Sequence, residues 1–143
     1  MKKILCALLA LLLLAATGLG LAERTAQQIE GAEAIADLLA SNYGSVEDFI
    51  AQSWYDRGMD AIVLTVGMAG YTGDDFAQMR AAGPMDEFYT IFIENDPHEI
   101  ILMALDLYEV GDMDFYFMVT SEDGVIQYLA VNGNNLTDFI YPN

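Results

Sequence analysis

The sequence predicts an α+β domain, with N-terminal helices packed on a C-terminal antiparallel β-meander of four to five strands. Between residues 25 and 83, cap signatures repeatedly precede apolar residues at helical spacing. From Met85 to Val131 the chain is a series of apolar runs separated by acidic turns. One of those turns, Glu122-Asp123-Gly124, sets Asp-Gly between two runs rich in aromatic and β-branched residues. That is a strong hairpin signal, because Gly accepts the positive φ of a tight turn.

Residues 1–22 read as a secretory signal peptide. Lys2 and Lys3 supply the positive start and Ile4 to Ala16 the apolar core. Gly20-Leu21-Ala22 offers small residues to the peptidase, which places cleavage before Glu23. A retained anchor is the alternative, since the run is nearly long enough to span a bilayer. A lipoprotein is excluded, because Cys6 lies inside the apolar core rather than just after it. Removing 22 of the 143 residues leaves 121, which suits one acidic α+β domain over 23–143. The only cysteine leaves with the signal, so an exported product without disulfides is expected, as in bacterial secreted or envelope proteins.

Charge narrows the partners. The formal net charge is −17, and becomes −19 once Lys2 and Lys3 are gone. Arg24, Arg57 and Arg80 then stand against 22 acidic residues. This argues against nucleic acid, whose phosphates need Lys and Arg, and against anionic membrane surfaces. The apolar content, 55%, is too high for a disordered chain.

Thr25-Ala-Gln-Gln28 has the form of a capping box, and Ile29, Ala32, Ala36, Leu39 and Tyr43 follow at helical spacing to Gly44. Ser45-Val-Glu-Asp48 repeats that form. Val46, Phe49, Ile50 and Trp54 then predict a second helix ending at Arg57-Gly58. Asp60 to Met68 is β-branched and apolar, and stands open between strand and buried helix. Thr72-Gly-Asp-Asp75 caps a third helix, Phe76 to Ala82, closed by Gly83-Pro84.

The meander is assigned to Phe88–Glu94, Ile100–Glu109, Phe115–Ser121 and Val125–Val131, with Leu136–Tyr141 as a short fifth strand. The second of these has an alternative. Asp96-Pro97-His98-Glu99 is a turn with Pro97 at its second position, but it is also a helix start. Strand is the preferred reading there. Apolar residues occupy both faces of most runs, so both sheet faces require cover. Three short helices cover one. The other must be a pocket, a dimer surface or a partner surface.

The order of helices then strands resembles the cystatin-like and NTF2-like α+β rolls. The run Leu107-Tyr-Glu-Val-Gly-Asp, with Phe115-Tyr-Phe-Met-Val-Thr-Ser-Glu-Asp-Gly-Val-Ile-Gln-Tyr, is similar to a strand pair of the PepSY domains of exported bacterial proteins. Neither likeness rests on a specific motif, so no functional residue is carried across.

Catalytic signatures are absent from the sequence. His98 is the only histidine, no Gly-x-Ser-x-Gly elbow occurs, and no cysteine follows the leader. Zinc is disfavoured on the same count. In a meander, the turns at Asn95–His98 and Glu122–Gly124 would share one rim. That would gather Glu94, Asp96, Glu99, Glu122 and Asp123, with His98 beside them, an oxygen set suited to Ca²⁺ in which Asp96, Glu99, Glu122 and Asp123 are the candidate ligands, with a solvated acidic rim as the plain alternative. No other cofactor is expected. Trp54, Tyr89, Tyr116 and Tyr128 are candidates to line a ligand or partner surface, against the simpler role of core. The expectation is a non-enzymatic binding or interaction domain that uses an apolar, aromatic sheet face. Its partner would be a protein, a small apolar ligand or a second copy. The alternative is a carboxylate hydrolase or calcium-binding domain built on the acidic rim.

Overall fold

The computed structural model describes residues 23–142. The proposed signal peptide lies outside them. Helix α1 (Ala26–Gly44) leads into a hairpin of β1 (Phe49–Asp56) and β2 (Ala61–Met68). Three helices follow: α2 (Gly73–Ala82), α3 (Asp86–Glu94) and α4 (His98–Leu107). The chain closes with β3 (Asp114–Ser121), β4 (Ile126–Val131), a two-residue β5 (Asn134–Asn135) and one helical turn, α5 (Thr137–Ile140). The strands form a single sheet in the order β1-β2-β3-β4-β5. The fold is α+β.

The first cap holds as read. Thr25 Oγ1 accepts from the Gln28 N–H at 3.2 Å, and the Gln28 side chain accepts from the Thr25 N–H at 2.9 Å. Behind it, Gly31, Ala32, Ile35, Ala36 and Leu39 face the core. At Gly31, α1 packs closely against the chain after α4. A Cβ there would lie 2.8 Å from Val110 Cγ2 and 3.2 Å from the Tyr108 carbonyl oxygen. Gly31→Ala is therefore expected to destabilise by about 1–3 kcal/mol through overpacking, although Ala gains roughly 1 kcal/mol of helix propensity. Urea unfolding checks this, and a variant as stable as its parent would mean that α1 is not seated so closely.

The predicted second helix is a strand. Ser45 Oγ donates to the Asn42 carbonyl at 2.7 Å and so closes α1 instead of opening a new helix. Asp48 adopts φ 68°, which no helix tolerates. Arg57-Gly58 is the hairpin turn: Asp56 Oδ1 accepts from the N–H groups of Gly58 and Met59 at 2.9 and 3.0 Å. The open segment becomes β2. It lies inside the sheet and is buried over most of its length, which its β-branched run on both faces allows.

The strands predicted over 88–94 and 100–109 are α3 and α4. Asp86 and Glu87 sit in the first turn of α3, where the helix dipole favours negative charge. Phe88 and Phe92, four residues apart, meet with ring centroids 5.0 Å apart. In α4, Ile101 and Leu105 point inward. Ile100, Met103 and Leu107 face outward, 62%, 68% and 79% exposed, so this helix is apolar on both sides.

Helices α2 to α4 form the crossover that lets β2 and β3 run parallel, which a meander cannot contain. The predicted hairpin is β3–β4, with Gly124 at φ 80° and its N–H donating to the Ser121 carbonyl at 2.9 Å. The ladder slips between Val119 and Thr120. The expected strand 136–141 is the turn α5, because the Thr137 hydroxyl accepts the Leu129 N–H at 3.2 Å and ends the ladder.

The core fills one sheet face. Ile62, Leu64 and Val66 from β2, Phe115, Phe117 and Val119 from β3, and Tyr128 and Ala130 from β4 pack against α1, α3 and α4. By register the opposite face carries Ile50, Trp54, Val63, Tyr116, Met118 and Leu129.

Candidate ligand-binding cleft

The inner sheet face is not covered to its end. Where α1 ends and β1 begins, a cleft of about 570 Å³ opens. Its floor is Val66, Phe117 and Phe49. Leu39, Tyr43 and Val46 form one wall, and Ile91, Phe92, Asp96 and Ile100 the other. The α3–α4 turn sets the second wall. Its shape comes from Asn95, whose side-chain amide donates back to the Ile91 carbonyl at 2.7 Å, and from Tyr43, whose hydroxyl donates to the Asn95 carbonyl at 3.1 Å.

Asn42, Glu94, Asn95 and Asp96 are the charged or amide residues of the lining; the first three are exposed and Asp96 is half-buried. Its Oδ1 accepts the His98 N–H at 2.9 Å. Its Oδ2 is buried with no hydrogen-bond partner, the only such side-chain atom among the described residues. Burial pushes the Asp96 carboxyl above its ordinary value, opposed by the His98 N–H and by the charge of His98. The carboxylate is felt nearby: burial first, then Asp96, pushes Tyr128 up to about 12. Tyr43 is raised by the same two causes.

The sequence-predicted residues divide. Trp54 and Tyr116 lie on the outer face, on either side of Val63 across the strands. Tyr89 and Tyr128 are on the inner side with centroids 6.4 Å apart, and belong to the aromatic core with Phe92. The four do not form one surface, and none lines the cleft. Of the acidic set, Glu94 and Asp96 line it. Glu99 is exposed on α4. Glu122 accepts the Gly70 N–H at 2.7 Å. Asp123 accepts the Gly73 N–H at 2.7 Å and the Ser121 hydroxyl at 2.6 Å. Those bonds hold its carboxyl below the usual range, and tie the β3–β4 turn to the loop before α2. The shared rim needed a strand where α4 stands. Among the described residues no three His, Cys, Asp or Glu side chains are grouped to hold a metal ion.

Leu39, Tyr43, Val46, Phe49, Ile91 and Phe117 were not foreseen as site residues. Only Asp96-Pro97 between two apolar runs marked the place in the sequence. His98, the lone histidine, sits with Nδ1 close against Gly133. No helix among the described residues is long and apolar enough to cross a membrane. No known protein family, curated protein or solved structure matches this chain.

Proposed function

We propose that this chain is an exported, non-enzymatic binding domain whose cleft on the inner sheet face takes a small, largely apolar ligand. The observation that carries the reading is the cleft itself, an apolar concavity of about 570 Å³ with one buried carboxylate oxygen unsatisfied in its wall. Binding sites are commonly of this kind, mostly apolar with a few placed polar groups.

The test uses N-phenyl-1-naphthylamine, an uncharged dye that brightens in apolar surroundings. Emission should rise with the wild-type protein and with the outer-face variant Tyr116→Ser. It should fall away in Val46→Trp, which fills the cleft mouth from an exposed position and is expected to change stability by no more than about 0.5 kcal/mol. Binding that survives Val46→Trp and disappears in Tyr116→Ser would move the function to the outer face and sink the cleft.

One observation favours a second reading. Glu94 lines the same cleft as Asp96, and two carboxyl groups with one raised pKa are what a glycoside hydrolase uses. Turnover of an aryl glycoside that is lost in both Glu94→Gln and Asp96→Asn would establish it in place of simple binding.

A further inference from the structure

We infer that β1 is a self-association interface, its free edge pairing antiparallel with β1 of a second copy so that two sheets become one. This is independent of the cleft. The sheet has two unlike edges. One is β5, only two residues long. The other is β1, eight residues in unbroken register with β2. Among the described residues, no backbone group outside β2 bonds to the backbone of Ile50–Asp56, so the far side of the strand is an open ladder. Proteins blunt long edges with Lys, Pro or a bulge, because an open ladder pairs with other chains. Phe49 to Tyr55 has no charged residue, no Pro and no bulge.

The side chains name the partner. Phe49-Ile-Ala-Gln-Ser-Trp-Tyr55 is nearly symmetric in size and polarity about Gln52. Paired antiparallel with itself about that residue, Ile50 meets the partner's Trp54, Ala51 the partner's Ser53 and Phe49 the partner's Tyr55. Gln52 meets its own copy. Large meets large and small meets small, and the members of each pair share a face because they lie equally far from Gln52. A foreign strand would have no use for this symmetry. A two-fold axis through Gln52 uses it in both directions, as an isologous contact does.

The pairing also closes. Once the two β1 strands are joined, β5 stands at both ends of the combined sheet, too short to offer a ladder to a third copy. An interface of one strand is small, so the dimer should be reversible at micromolar concentrations. The formal net charge of −17 opposes association at long range, and added salt should strengthen the dimer by screening it.

Sedimentation velocity over a concentration series tests this, on the chain as an exporting host secretes it. Wild type should pass from monomer to dimer and no further. Gln52 is exposed, so Gln52→Lys and Gln52→Glu should keep the melting temperature of the monomer nearly unchanged. Each sets like charges across the axis and should weaken the dimer about fivefold. Gln78→Lys, the same change of charge at an exposed position on α2, should leave it as it was. An equal mixture of Gln52→Lys and Gln52→Glu should regain the wild-type affinity, because opposite charges then meet, and only pairing about Gln52 brings them together. A chain that stays monomeric throughout the series would overturn the inference. So would a dimer indifferent to both Gln52 variants, a mixture no tighter than its components, or growth past the dimer.

Discussion

Phe117→Ala is expected to lower the unfolding free energy by about 3–5 kcal/mol, the usual loss when a buried aromatic is truncated without collapse of its site. Phe117 is 1% exposed. Its ring lies 5.7 Å from Tyr128, 6.3 Å from Phe92 and 6.1 Å from Tyr43, so it joins the sheet to α3 and to the end of α1. It is also the cleft floor, and the void left behind would open into the cleft instead of closing. Since domains of this size are stable by roughly 5–15 kcal/mol, the variant should be near its folding threshold. Phe139→Ala is the contrast: that ring is 77% exposed and should change stability by no more than about 0.5 kcal/mol. Guanidinium unfolding of both variants checks the pair. A loss below about 1 kcal/mol for Phe117→Ala would contradict the aromatic cluster on which the cleft rests.

Arg24→Ala should cost about 2–4 kcal/mol, toward the lower end for breaking a buried ion pair because the pair keeps some solvent contact. Arg24 and Asp60 side chains are 13% and 12% exposed. Arg24 Nε and Nη2 donate to the Asp60 carboxylate at 2.9 and 2.8 Å, Nη1 to the Val110 carbonyl at 2.6 Å, and Nη2 also to the Asp112 carbonyl. The Tyr55 hydroxyl donates to Asp60 Oδ1 at 2.8 Å. One guanidinium thus ties the start of α1 to the β1–β2 turn and to the loop before β3. Arg24→Lys should recover only part of the loss, because a single ammonium cannot present the planar fork these acceptors require.

The pH dependence has a definite sign. The Arg24 hydrogen bonds hold the Asp60 carboxyl below its ordinary value, against the opposing effect of burial. The stabilisation is therefore present above the unfolded-state value, about 3.9, and is lost as pH falls through the depressed folded one. Wild type and Arg24→Ala should differ by a constant amount from about pH 5 to 8 and converge in stronger acid. A gap that stays constant down to pH 2 would mean that Asp60 is not the partner whose charge matters.

The parts legible in the sequence are those decided by neighbours in the chain. Thr25 with Gln28 and Thr72 with Asp75 cap helices because a hydroxyl three residues from an amide reaches it whatever lies beyond. Asp123-Gly124 turns β3 into β4 because only the local φ is at issue. The α+β class and the acidic charge are of the same kind.

Other choices belonged to the tertiary structure. Ser45–Asp48 has the letters of a cap, yet the chain pairs Phe49–Asp56 with β2, because a long β-branched strand offers a full ladder and Asp48 can take the left-handed turn. Residues 86–107 are apolar at both periods, so no local rule separates strand from helix. What decides is the sheet, whose inner face needs a cover that α1 alone cannot supply, and whose parallel β2–β3 pair needs a crossover. The cleft follows from the same cause. It exists because α1, β1 and the α3–α4 turn meet at the end of that face without filling it, and these segments are distant in the chain. Asp96 was visible as an acid before a proline. Its burial beside Phe92 and opposite Tyr43, with one oxygen unpaired, is a property of the assembled walls.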